Sequence, residues 1–75
     1  RCMRVTYDKK SNTAYIQLAD KIRDGGVTKT VPLDENHMYL DFTKNRLVGI
    51  EVLGATQHLP PELLRQAEPL GKTEC

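Results

Sequence analysis

Asp41 and Glu51 stand on the two arms of what reads as a β-hairpin, and the pairing derived below puts them on one outer face with Tyr39. Two carboxylates and a phenol so placed could share a proton or hold a cation. A solvated sheet face explains the same pattern and is the favoured description, because acid–base chemistry needs a concave, water-poor pocket that a chain of 75 residues has little volume to enclose. His37 and His58 are the only imidazoles and lie 21 residues apart in different loops, with no Cys or further His at ligand spacing. No zinc motif results, and each is expected to be a surface loop histidine, with a pH-sensitive interface contact as the alternative use. Ser11 falls in a polar turn and Cys2 and Cys75 are terminal, so no nucleophile sits on a strand-to-helix elbow. Gly25-Gly26 is followed by a strand pattern rather than a helix and reads as a hairpin turn, not a phosphate cradle. Lys9 with Lys10, Lys21 with Arg23, and Lys44 with Arg46 put basic residues in three loops, interleaved with Asp8, Asp20, Asp24 and Asp41. Ordinary charged turns are expected, and a nucleic-acid grip requires those loops to converge. No catalytic residue, metal or cofactor is assigned.

The elements that position these residues follow from periodicity. Met3, Val5 and Tyr7 alternate with Arg4 and Thr6, the period-two signature of a half-buried strand. Turn formers from Asp8 to Asn12 lead into Thr13–Leu18, where Ala14, Ile16 and Leu18 face inward, so a first hairpin is expected. After Asp24-Gly25-Gly26, Val27, Val31 and Leu33 share parity, but Lys29 falls on the same face and Pro32 cannot donate to a ladder. That third strand belongs at a sheet edge.

The last hairpin joins Met38–Phe42 to Leu47–Leu53, and its register can be derived. A two-residue loop of Lys44 and Asn45 would turn Glu51 inward and strand Val48, Ile50 and Val52 outside. A three-residue loop of Lys44, Asn45 and Arg46 instead sets Phe42 against Val48, Leu40 against Ile50 and Met38 against Val52, every inward position then being apolar. Tyr39 opposes Glu51, Asp41 opposes Gly49, and Asn45 is the expected left-handed residue. Beyond Gly54-Ala55-Thr56 the period changes. Pro60-Pro61-Glu62 opens a short helix over about 60–68, with Leu59, Leu63, Leu64 and Ala67 on one stripe, and residues 71–75 read as a loose tail.

The fold class expected is therefore mostly β (α+β): one domain over 1–75, a single antiparallel β-meander of four to five strands with one short C-terminal helix. With 39% hydrophobic and 28% charged residues the chain has the balance of an ordered small domain rather than a disordered segment. A chain this short buries only ~60% of the surface it exposes when unfolded, so help from a partner surface is expected. A net charge of +1 sets up no field that would draw nucleic acid or anionic lipid. No apolar run reaches the ~20 residues of a membrane span and no signal peptide is evident, so the cytoplasm is the default and the two cysteines read as free thiols.

Tyr7-Asp8, Asn12-Thr13-Ala14-Tyr15-Ile16-Gln17-Leu18, Leu40-Asp41-Phe42 and Val48-Gly49-Ile50-Glu51-Val52-Leu53-Gly54-Ala55-Thr56 together resemble a prokaryotic small-protein family catalogued as domain of unknown function 2283. The resemblance covers Met3 to Thr56, and the Gly-Ile-Glu-Val-Leu element behind Leu-Asp-Phe is its most specific part. It implies small bacterial or archaeal cytoplasmic proteins with a compact antiparallel β fold, no established activity, and for some relatives an antitoxin-like role beside ribonuclease-like toxins. Relatives usually carry a Gly and a longer loop in the final turn, which Thr43-Lys44-Asn45-Arg46 lacks.

Read together, these features favour a non-catalytic protein-interaction module that self-associates as a homodimer. The dimer is expected either to share the apolar sheet face or to pair the edge strand, and Val27, Val31 and Leu33 at that edge with Leu63 and Leu64 on the helix are the expected interface residues. A ligand site at Tyr39, Asp41 and Glu51 is the first alternative, and nucleic-acid binding through the loop lysines and arginines is the second.

Overall fold

The computed structural model describes residues 4–19, 22 and 25–69. The expectations for Cys2, Met3, Asp20, Lys21, Arg23, Asp24 and the tail from Gly71 to Cys75 lie outside the described residues. Five strands form antiparallel pairs in one sheet: β1 (Arg4–Asp8), β2 (Thr13–Gln17), β3 (Lys29–Leu33), β4 (Met38–Thr43) and β5 (Arg46–Leu53). Two short helices follow, α1 (Ala55–His58) and α2 (Pro61–Gln66), and then a two-residue strand β6 (Glu68–Pro69) that runs parallel to β1. The fold is mostly β, as the alternating patterns require. Its helical part is split, because Leu59 and Pro60 are extended and break the chain between α1 and α2.

Strand order is β3-β4-β5-β2-β1-β6. The first and last hairpins form as their patterns indicate, but β2 pairs with β5 and the chain then reaches the far edge before starting β3. Alternation specifies which face a residue takes and carries no information on which strand lies alongside. The edge position of β3 agrees with Pro32 and Lys29. There Lys29 lies opposite Phe42 and sets its ammonium over the ring, 5.0 Å from its centre, a cation–π contact.

The β4–β5 register holds for four pairs, Met38–Val52, Tyr39–Glu51, Leu40–Ile50 and Asp41–Gly49. It then departs from expectation: Phe42 faces Leu47 and Thr43 faces Arg46, with Val48 the extra residue of a bulge. The hairpin thus combines a two-residue loop with an apolar inner face, an arrangement that regular pairing excludes and a bulge permits. Lys44, at φ 56°, takes the left-handed conformation expected of Asn45. The bulged Val48 carbonyl accepts from Leu18 N–H at 2.8 Å and Ala19 N–H at 3.3 Å, where β2 ends.

Two rows of apolar side chains cross the sheet. One runs Val31, Leu40, Ile50, Ile16, Val5 and the other Leu33, Met38, Val52, Ala14, Tyr7. Among described residues the buried hydrophobics are Ala14, Val48, Val52 and Ala55, and Val52 is the one larger side chain fully enclosed. Asn12 fastens α1 over this corner. Its left-handed backbone (φ 55°) presents its carbonyl to Ala55 N–H at 2.9 Å, while its side chain accepts from Tyr7 Oη at 2.9 Å and Thr56 N–H at 3.2 Å and donates to Thr56 Oγ1 at 3.0 Å. The rest of the apolar face, Val5, Ile16, Val31, Leu40, Phe42 and Ile50, is half-buried.

Candidate functional site

Tyr39, Asp41 and Glu51 do share the outer face, and the register adds a residue that the hairpin alone could not supply. Tyr15 on β2 lies directly opposite Glu51, which lies opposite Tyr39. Tyr15 leans diagonally across Gly49 and donates its Oη–H to Asp41 Oδ2 at 2.9 Å. Thr30 on β3 donates to the other oxygen, Oδ1, at 2.8 Å. Asp41 therefore anchors hydroxyls from both sides of its own strand, and this bridge spans four strands.

Gly49 makes the bridge possible. A β-carbon there would run into Oη and Cζ of Tyr15, so the side chain can cross the strand only because residue 49 has none. Burial of the phenol, its bond to Asp41 and the negative charges of Asp41 and Glu51 all push the Tyr15 pKa upward. Tyr15 is consequently a neutral donor, poorly suited to accept a proton. Beside it, a cleft of about 300 Å³ is lined by Thr6, Asp8, Ser11, Thr13, Ala14, Tyr15 and Glu51. Asp8 is engaged at its rim, accepting from Lys10 N–H and Ser11 Oγ, each at 3.1 Å.

A second cluster forms at the end of the sheet where Asp8, Thr13 and Leu53 lie. Sequence separation suggests two unrelated loop histidines, but their rings lie 5.2 Å apart, centre to centre. The β3–β4 turn carries three successive left-handed residues, Asp34, Glu35 and Asn36, at φ 52°, 54° and 70°. His37 then donates its backbone N–H to Asp34 O at 3.0 Å and accepts Leu53 N–H on its own carbonyl at 2.7 Å. Asp34 Oδ2 lies 3.6 Å from His58 Nε2 and 4.0 Å from His37 Nδ1. One signal for this meeting was present: extending the Met38–Val52 pairing by a single residue sets His37 beside Leu53, and His58 is five residues further along the chain.

Among the described residues the loop cations do not gather. Lys9 and Lys10 lie in the β1–β2 turn and Lys44 and Arg46 at the β4–β5 turn, which the pairing places at opposite ends of the sheet. Of the expected interface residues, Val31 and Leu33 are on the edge strand, Leu33 being 43% exposed, while Val27 precedes that strand and Leu63 and Leu64 are half-buried on α2. Among described residues no helix is long and apolar enough to cross a membrane.

A single sheet with one polar face, bound together through Asp41, and one incompletely covered apolar face defines a small β-sheet domain. The chain belongs to the family described as Protein of unknown function (DUF2283), whose model matches residues 4–55. That span runs from the start of β1 to the first residue of α1 and leaves α2 and β6 outside it. No curated protein and no solved structure matches the chain.

Proposed function

We propose that this protein is a non-catalytic interaction module of the prokaryotic cytoplasm that self-associates as a homodimer through its apolar sheet face. The observation that carries the reading is the face itself: Val5, Ile16, Val31, Leu40, Phe42 and Ile50 are contiguous across five strands and only half-buried. A second copy is the occupant that supplies a matching surface without further assumption, because a two-fold axis sets the same apolar rows against each other. Completing the burial of each such side chain contributes on the order of 1 kcal/mol. The antitoxin-like role implied by the family resemblance is the narrower form of this proposal, in which the dimer or its face engages a second protein.

Sedimentation equilibrium on the intact chain tests the reading, with Leu40→Asp at the centre of the face and Leu33→Lys at the edge of the sheet. A dimer that Leu40→Asp converts to a folded monomer, and that Leu33→Lys leaves intact, supports face pairing. Loss of the dimer in Leu33→Lys alone would move the contact to the edge strand. A monodisperse monomer of the parent chain at high micromolar concentration overturns self-association.

A further inference from the structure

We propose that Asp34, His37 and His58 form a binding site for one divalent transition-metal ion, with Zn2+ the best match to the donor set. Each of the three offers a ligand atom within 4.8 Å of the others. Two imidazoles and a carboxylate suit borderline ions such as Zn2+, Co2+ or Ni2+, whereas Mg2+ and Ca2+ prefer all-oxygen shells. Ligands about 2.0–2.1 Å from a tetrahedral ion lie roughly 3.3 Å from one another. The 3.6 Å between His58 Nε2 and Asp34 Oδ2 is already close to that spacing. Closing the third position requires rotation of the His37 and Asp34 side chains, which are 48% and 57% exposed, with His37 exchanging its Nδ1 hydrogen bond to Asp34 O for the ion.

The hydrogen bonds behind the rings point the same way. His58 Nδ1 lies 3.0 Å from Gly54 O, and His37 Nδ1 lies 2.7 Å from Asp34 O. A carbonyl can only accept, so each Nδ1 carries the proton, and the neutral His58 ring presents a bare lone pair at Nε2 toward Asp34. Backbone carbonyls orient metal-binding histidines in this way. In the neutral tautomer, His58 Nε2 and Asp34 Oδ2 are then two acceptors facing each other, an arrangement that a cation between them resolves. The ion would tie the β3–β4 turn to α1, and three protein ligands leave a coordination position open to water or to an exogenous donor. The site lies on the β3–β4 turn and α1 rather than on the strand that carries Leu40, so it is tested independently of the dimer.

The test uses the full chain carrying Cys2→Ser and Cys75→Ser, which removes competing thiols. Zn2+ is followed by calorimetry, Co2+ by its visible absorption, and the two histidine rings by NMR. One ion bound per chain is expected, with ring shifts at both His37 and His58. Asp34→Ala, His37→Ala and His58→Ala should each weaken binding by more than about tenfold. Should His58→Ala fail to fold, the exposed Asp34 and His37 variants decide the matter. Absence of saturable uptake, or uptake unchanged in those variants, overturns the proposal.

Discussion

Gly49→Ala is a small change with a large expected consequence. The added methyl occupies the space of the Tyr15 ring, so Tyr15 must swing away and its bond to Asp41 is lost. A hydrogen bond to a charged acceptor contributes about 1.5–3 kcal/mol. Exchanging Gly for Ala within a strand returns about 0.5–1 kcal/mol. The net loss is therefore about 1–2 kcal/mol, which lowers the melting temperature by roughly 5–15 °C in a domain of this size. Thermal and urea unfolding at one fixed protomer concentration measure it, since association would otherwise shift the midpoint. The decisive comparison is made in a Tyr15→Ala background. There the obstacle is gone, and Gly49→Ala should be neutral or slightly stabilising, giving a coupling of about 1.5–3 kcal/mol between the two positions. Equal destabilisation in both backgrounds would refute the account of why residue 49 is glycine.

Further outcomes follow from the same structure. Because the Tyr15 pKa is raised on folding, the unfolded chain loses that proton first, so the contribution of Tyr15 to stability is intact below about pH 10 and declines as pH rises beyond it. Tyrosinate absorbance should show one of the three tyrosines ionising late, and Tyr15→Phe should abolish that late step while flattening the alkaline loss of stability. Asn12→Ala, which removes three side-chain hydrogen bonds and leaves a non-glycine residue at φ 55°, should cost about 2–4 kcal/mol in urea unfolding. Asn12→Gly restores the backbone freedom but not the bonds, and should recover about 1 kcal/mol of that loss. Lys29→Ala, which removes the cation over Phe42, should lower stability by about 0.5–1 kcal/mol in urea unfolding at one fixed protomer concentration.

The parts of this fold that could be read from sequence are those written in alternation. Tyr39 against Glu51 and Asp41 against Gly49 follow from requiring Ile50 and Val52 to face inward, and the edge position of β3 follows from Pro32 and Lys29. Tyr15 could be placed on a polar face, but its bond to Asp41 could not be seen, because that contact depends on β2 lying beside β5. Strand adjacency is set by long-range packing that no local pattern records. The bulge at Val48 was hidden for a related reason: regular pairing forces a choice between a short loop and an apolar face, and the chain escapes that choice by leaving one residue unpaired. Helix α1 has four residues, too few to show a period. The histidine cluster needed both the hairpin register and that unseen turn.

The two borders of the sheet are unlike each other. On one side β3 is paired, among the described residues, only with β4, while on the other the backbone of β1 is met at Thr6 and Tyr7 by β6, where Pro69 has no N–H to offer a newcomer. Growth of a fibre by strand addition requires two receptive borders, so that each added molecule presents a fresh template. A molecule with one receptive border can join another border to border, and the pair then has none left. Over the two residues that it pairs, the short C-terminal strand thus covers the β1 border, and among the described residues β3 is left as the border open to strand addition.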